Sequence, residues 1–247
     1  MLKIGYLRVG EVPEGLVARF NGYESMFARL LGEVSTAVRW CVFDVRNGEL
    51  PPLGGGVCDG YLCCGSPDSV YDPLDWIPPL MAFVRSLRGQ QRPLVGICFG
   101  HQLIAHALGG RTEHAQGGWG LGAVAAQTLT HAPWMNPPLA RYTLHYSHQD
   151  QVVQLPPGAQ LLARTDHCPV AMFSLGDEFL GIQGHPEFNA AYTEALIRSR
   201  TGRIDPQLVT RACASLDRPT DNQILATWIH QFLTQKTAAT PTSEDKS

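Results

Sequence analysis

Short apolar runs alternate with amphipathic stretches along the first hundred residues. Apolar runs over 2–9, 38–45, 61–64 and 94–97 predict strands, and the last is of the kind buried on both faces. Apolar side chains at helical spacing predict helices over 14–31 and 73–88 and after residue 98. This order of strands and helices predicts a doubly wound, mostly parallel α/β sheet with right-handed crossovers.

The pattern changes after Gly117. Proline and glycine turns separate short runs that predict antiparallel strands at the sheet edge, over 121–129, 141–147, 161–164 and 170–174. A buried strand over 179–183 follows, and then C-terminal helices over 190–200, 206–216 and 221–233. We therefore expect a single catalytic domain over 1–236. The polar residues 237–247 predict a disordered tail.

Cys98 lies where the fourth predicted strand turns into a helix, with Gly96 and Gly100 two residues away on either side. This is the elbow arrangement of G-x-S-x-G hydrolases, with cysteine in place of serine. The turn is so tight that side chains at the flanking positions would collide with the backbone. Free N–H groups at the helix start favour the thiolate. Taken alone, Cys98 is equally consistent with a buried core thiol.

A second buried strand runs directly into Gly184-His185-Pro186-Glu187. A catalytic thiol needs a base for its proton, and the base needs an acceptor that fixes its orientation. His185 and Glu187 are two residues apart in an extended segment, so both project to the same side. The sequence therefore predicts Cys98 as nucleophile, His185 as general base and then acid, and Glu187 as the orienting carboxylate.

The segment Gly96-Ile97-Cys98-Phe99-Gly100-His101-Gln102, followed downstream by Gly184-His185-Pro186-Glu187, resembles the class I (triad) glutamine amidotransferases. It is most similar to stand-alone members related to the glutaminase domain of GMP synthetase and to γ-glutamyl peptidases. The resemblance implies a flavodoxin-like fold and hydrolysis of a γ-glutamyl amide through a γ-glutamyl thioester, without a cofactor. It also implies two oxyanion donors, the N–H groups of Phe99 and of Gly65.

The same resemblance implies a set of substrate-binding residues. Gln102 matches the family position that helps to bind the glutamyl part, and Ser66 lies in the matching loop after the third strand. Residues 147–152, Ser-His-Gln-Asp-Gln-Val, resemble the family's S-H-G-D-x-V segment, which borders the same pocket. From this segment we expect substrate contacts by His148, Gln149 and Asp150. Gln149 departs from the family's glycine, and its larger side chain is expected to change what the pocket accepts.

Composition excludes some functions. The 247 residues carry a formal net charge of −3 without a basic patch, which gives no support to a nucleic-acid or membrane-surface partner. We find no signal peptide and no apolar run long enough to span a membrane, so we expect a cytoplasmic protein. The seven cysteines form no C-x-x-C pair, which predicts reduced thiols and no metal site.

Two enzymatic interpretations remain open. The chain is either a self-sufficient hydrolase of γ-glutamyl amines, anilides or peptides, or a glutaminase subunit that delivers ammonia to a separate synthetase or ligase partner. About sixty residues follow Glu187, fewer than a typical acceptor domain needs. This length and Gln149 favour the hydrolase acting on a small-molecule γ-glutamyl substrate. A non-catalytic regulatory or binding protein on the same fold is the alternative from another class, and the intact triad argues against it.

Overall fold

The computed structural model describes residues 1–235. Its strands are β1 (Leu2–Arg8), β2 (Val38–Asp44), β3 (Gly60–Cys63), β4 (Leu94–Ile97), β5 (Arg111–His114), β6 (Gly120–Thr128), β7 (Arg141–His148), β8 (Asp150–Gln154), β9 (Gln160–Arg164), β10 (Met172–Leu175) and β11 (Phe179–Ile182). Its helices are α1 (Glu14–Phe20), α2 (Tyr23–Gly32), α3 (Ile77–Ser86), α4 (Phe99–Ala107), α5 (Ala190–Arg198), α6 (Pro206–Ser215) and α7 (Asn222–Thr234). Short 3-10 turns cover Val45–Asn47 and Thr201–Arg203.

Within residues 1–235, nine strands form one sheet in the order β2-β1-β3-β4-β11-β10-β9-β6-β7. The strands from β2 to β11 in this order are parallel, and the rest are added antiparallel. The predicted fold class is therefore confirmed, including the antiparallel edge and the C-terminal helices. Gly96 of β4 pairs with Cys63 of β3 and with Gly181 of β11, so these three strands end at the same edge.

Helices cover both faces of the sheet. A side chain at Gly60 would meet Leu233 of α7, whereas the side chain of Cys63, on the opposite face of β3, lies against Gly100 of α4. Helix α4 contacts β3, β4, β5, β8, β11 and α3, and all its residues except His106 are buried. A helix enclosed on every side cannot shift easily, because the packing around it is dense. This rigidity fixes the first turn of α4.

The predicted helix over 14–31 is wrong in one respect, because the chain divides it into α1 and α2. Asn21 has φ 61° and ψ −163°, a conformation that ends α1, and Gly22 caps α2. The apolar periodicity continues through this break, and for that reason the pattern alone did not reveal it. No residue of α1 is fully buried: Leu16 and Phe20 pack on a small cluster that includes Met26 of α2. The other buried residues of α2, Phe27, Leu30 and Leu31, belong to the main core.

Two further differences concern short elements. Helix α3 begins at Ile77, four residues later than predicted, with two prolines in its first turn, where the missing N–H groups are tolerated. Strands β5 and β8 pair in a separate two-stranded sheet that the sequence did not indicate, because only Thr112 of β5 is buried. The tail predicted over 237–247 lies outside the described residues, and the single domain over 1–236 stays a prediction.

None of the helices described in residues 1–235 is long and apolar enough to cross a membrane.

Substitution of Asn21 tests the backbone conformation assigned to the break between α1 and α2. Its backbone occupies a region that is essentially restricted to glycine and costs other residues about 1–3 kcal/mol. The side chain is exposed, so Asn21→Gly should raise the free energy of unfolding by about 1 kcal/mol in urea titrations. Asn21→Ala keeps the Cβ and should give no gain. A lower stability of Asn21→Gly than of the wild type would contradict the assigned conformation.

Candidate active site

Cys98 joins β4 to α4 in a strained backbone conformation, with φ 54° and ψ −100°. Its N–H donates to the carbonyl oxygen of Ile182 in β11 at 2.9 Å, and the N–H of Gly100 donates to that of Cys64 at 3.2 Å. A Cβ at Gly96 would collide with the carbonyl group of Gly100, and a Cβ at Gly100 would collide with the carbonyl oxygen of Cys63. Neighbouring strands therefore hold the turn that the glycine spacing predicted.

His185 and Glu187 form a buried pair in the loop after β11. Nδ1 of His185 lies 2.8 Å from Oε1 of Glu187, and the two side chains are 4% and 1% exposed. The His185 N–H donates to the carbonyl oxygen of His145 in β7 at 2.8 Å. The imidazole stacks on Phe188, with ring centres 3.9 Å apart and planes 6° from parallel. These contacts fix both the position and the tilt of the imidazole.

The charge state of His185 follows from its neighbours. Burial by itself lowers the pKa of His185, because it disfavours the imidazolium. The charges of Glu187 and Cys98, together with hydrogen bonds to both, outweigh burial and raise this pKa to about 10. His185 is therefore an imidazolium at neutral pH, with its Nδ1 2.8 Å from a carboxylate oxygen of Glu187.

Gly65 lies where the carboxyl ends of three strands meet. It follows β3, whereas Cys98 follows β4 and His185 follows β11. A Cβ at Gly65 would lie 3.2 Å from Cε1 of His185 and 3.7 Å from Cβ of Cys98. Phe99, the first residue of α4, has its N–H at the same turn. The residues predicted as nucleophile, base and oxyanion donors are thus neighbours, and Glu187 lies behind the imidazole.

One cleft extends from Cys98 toward β8, and we call it the β8 cleft. It is lined by the five predicted substrate-binding residues, Ser66, Gln102, His148, Gln149 and Asp150. The Gln102 amide donates to the carbonyl oxygen of Asp150 at 2.7 Å and to Oε1 of Gln183 at 3.1 Å. These two hydrogen bonds fix the orientation of the Gln102 side chain at the cleft.

Two residues of the 147–152 segment differ in their surroundings. Burial lowers the pKa of His148 to about 3, so its imidazole is neutral, with Nδ1 3.0 Å from the carbonyl oxygen of Asp150. Gln149 is half-buried, and its amide lies 3.2 Å from Nε2 of His114. Gln149, which stands where the family has glycine, therefore contacts His114 at the end of β5, at the edge of the cleft.

A second cleft lies on the other side of Cys98, and we call it the α5 cleft. Besides Cys98 and Gly65 it is lined by the side chains of Glu11, Pro13, Tyr23, His185, Phe188 and Leu196. His185 lines the α5 cleft and is not among the residues that line the β8 cleft. Five residues border both clefts, namely Ser66, Pro67, Cys98, Ser147 and Arg200, so Cys98 lies at the junction between them.

Arg200 is the site residue that sequence reasoning missed. Its guanidinium donates to Oγ of Ser147 at 2.8 Å and lies over the ring of Trp119, 5.4 Å from the ring centre. An arginine just after a helix is ordinary in a sequence, and only the turn that follows α5 brings this one to the site. A motif search has no signal for such a contact, because the partners are distant along the chain.

Comparisons with known proteins identify the relatives of this chain. The family model "Glutamine amidotransferase class-I" matches residues 21–199. Gamma-glutamyl peptidase 3 of Arabidopsis thaliana is 35% identical over 181 residues, which cover 69% of this chain and 70% of the relative. A GMP synthase of Thermomicrobium roseum is 38% identical over 166 residues, 67% of this chain and 30% of that protein. The solved structure of a glutamine amidotransferase from Thermotoga maritima matches with a TM-score of 0.74 at 17% identity, covering 95% of this chain and 99% of that one.

The pair His185–Glu187 predicts a titration that does not depend on activity. Glu187→Gln removes the carboxylate charge, so the pKa of His185 should fall from about 10 toward its ordinary value of 6.5, which NMR titration of the imidazole will measure. In the wild type the stabilisation from the raised pKa is fully present below pH 6.5 and is lost as the pH rises through about 10. An unchanged His185 titration in Glu187→Gln would contradict this electrostatic account.

Proposed function

Because the chain belongs to the class-I glutamine amidotransferase family, we propose that it hydrolyses γ-glutamyl amide bonds through a thioester on Cys98. The observation that carries the proposal is the position of the Cys98 sulfur. It lies on a strained turn, beside an imidazole bound to a buried carboxylate, at the junction of two clefts. A nucleophile, a base and an orienting acid in contact are the parts that acyl transfer requires.

In the proposed reaction the Cys98 thiolate attacks the γ-carbonyl carbon, a C–S bond forms, and the carbonyl electrons move onto oxygen. The N–H groups of Phe99 and Gly65 stabilise this oxyanion, and loss of one such donor from an oxyanion hole typically costs about 3–4 kcal/mol. The His185 imidazolium gives its proton to the leaving nitrogen as the C–N bond breaks. Water then loses a proton to His185, attacks the thioester and releases glutamate, which restores the thiolate.

We assign the glutamyl part of the substrate to the β8 cleft, where Gln102, His148 and Asp150 meet polar backbone and side-chain groups. Ser66 and Gln149 complete this cleft and are proposed as further substrate contacts. The neutral His148 can serve as a hydrogen-bond partner without adding charge. A free thiol is needed for the reaction, which fits a cytoplasmic location.

The relatives favour a substituted amide over glutamine itself. The Arabidopsis proteins named gamma-glutamyl peptidase match this chain over a similar share of both sequences, whereas the match to GMP synthase covers 30% of that protein. The GMP synthase relationship supports a second candidate, a glutaminase that passes ammonia to a synthetase partner. The two candidates share the chemistry at Cys98 and differ in the amine that leaves.

Substitution of Cys98 and a substrate panel test the proposal. Wild-type protein should release amines from γ-glutamyl peptides, γ-glutamyl amines and γ-glutamyl anilides with a higher kcat/KM than ammonia from glutamine. Hydroxylamine should intercept the thioester and yield γ-glutamyl hydroxamate, measured by its iron complex. Cys98→Ala should lose turnover by a factor of about 10⁶ or more, the size seen when a nucleophile is removed.

Cys41→Ala provides the matched control, because Cys41 is a free thiol on the edge strand β2, away from both clefts. It should keep wild-type rates. Wild-type turnover in Cys98→Ala would refute the thioester mechanism. Faster cleavage of glutamine than of every substituted amide would instead support the ammonia-delivering glutaminase.

A further inference from the structure

The leaving amine must lie where His185 can protonate it. General acid catalysis requires the donor within hydrogen-bond reach of the departing nitrogen. His185 lines the α5 cleft and not the β8 cleft. If the glutamyl part occupies the β8 cleft, as in the proposed function on which this inference rests, the leaving amine extends into the α5 cleft.

The walls of the α5 cleft are mainly apolar. Pro13, Tyr23, Phe188 and Leu196 supply the apolar lining. Pro13 and Tyr23 are half-buried, whereas Phe188 and Leu196 are each 1% exposed, so Pro13 and Tyr23 offer most of the apolar surface. Phe188 stacks on the imidazole, and its ring centre also lies 5.9 Å from that of Tyr23, with the two ring planes at 24°. Such a surface favours a leaving amine with an apolar body over ammonia, because ammonia offers no apolar area to bury.

Besides the His185 imidazolium, two charged side chains border this cleft, Glu11 and Arg200. Glu11 is exposed, and its negative charge acts on the neighbouring Arg8, whose pKa it helps to raise. Arg200 is half-buried. In the part of the chain that the structure describes, ion pairs within 4.0 Å involve other residues, so Arg200 has no carboxylate partner there.

The Arg200 guanidinium is also held in place. Its hydrogen bond to Ser147 uses one nitrogen at 2.8 Å, and Trp119 supports its face. A guanidinium presents five N–H donors in a planar fork that matches a carboxylate. Most of these donors remain for a ligand, and their orientation is fixed before the ligand arrives. This arrangement costs less side-chain entropy on binding than a mobile surface arginine does.

We propose that Arg200 binds a carboxylate of the leaving group, and that the preferred substrates are γ-glutamyl amino acids or peptides with an apolar residue next to the scissile amide. The apolar side chain of that residue packs against Pro13 and Tyr23, while its carboxylate meets Arg200. Glu11 and Pro13 precede the span matched by the family model, and Arg200 follows it. Arg200, on which the carboxylate preference rests, thus lies outside the shared span, whereas Tyr23 lies inside it.

A pair of substrates that differ by one carboxylate tests the role of Arg200. γ-Glutamylphenylalanine and γ-glutamylphenethylamide have the same glutamyl part and the same aromatic body. Wild-type kcat/KM should be about 10- to 100-fold higher for the phenylalanine conjugate, the usual effect of a charge-assisted hydrogen bond. Arg200→Gln should lose this factor on γ-glutamylphenylalanine, chiefly through KM, and stay within about threefold of wild type on the phenethylamide. Arg200→Lys should restore part of the preference.

Arg198→Gln is the matched control. Arg198 is the last residue of α5, two positions before Arg200, with its side chain 62% exposed, and it is paired with Glu194. It should leave both rates unchanged. Thermal melting of each variant should match the wild type, which separates loss of contact from loss of fold.

Two results would overturn the inference. Equal wild-type rates on both conjugates would show that the leaving carboxylate is not recognised, while hydrolysis itself would still support the proposed function. Equal slowing of both conjugates by Arg200→Gln would assign Arg200 to the glutamyl part, because the phenethylamide keeps the glutamyl carboxylate. Hydrolysis of neither conjugate nor any other γ-glutamyl amide would refute the proposed function, and this inference with it.

Discussion

The backbone of Cys98 is the constraint on which the site depends. A non-glycine residue with φ 54° is unfavourable by about 1–3 kcal/mol unless its surroundings enforce it. Here a hydrogen bond from its N–H to β11, the close approach of Gly100 to β3, and the enclosed helix α4 provide that enforcement. The central parallel strands therefore hold the turn in its strained conformation. They also set its direction, so the sulfur emerges where the two clefts meet.

The second requirement is the buried pair of His185 and Glu187. An imidazole this deeply buried would be neutral without a partner, because burial disfavours its charge. Glu187 reverses that tendency, and the short separation leaves the ring little freedom to rotate. Phe188 restricts the imidazole further by stacking on one face of the ring. His185, Glu187 and Phe188 lie in one short loop, and contacts among them set the orientation and charge of the imidazole. This loop follows β11, which ends at the same sheet edge as Cys98.

Local chemistry was predictable from the sequence, and long-range placement was less so. The turn at Cys98 and the pairing of His185 with Glu187 can each be predicted from a few consecutive residues. The sheet topology follows from the order of apolar runs. The break at Asn21 was hidden because the apolar periodicity continues through it. Strand β5 was missed because pairing with β8, and not its own pattern, makes it a strand. Arg200 acquires its place only through the turn after α5.

The α5 cleft has a consequence for how such a protein can diverge. Most of its lining lies inside the matched span, but Glu11 and Pro13, between β1 and α1, and Arg200, after α5, lie outside it. Connecting segments accept substitutions that strands and enclosed helices do not. If the leaving amine occupies this cleft, as proposed, substitutions in these segments can change the preferred amine without altering the turn, the imidazole or the carboxylate. One scaffold can in this way give rise to paralogues that cut different conjugates by the same chemistry.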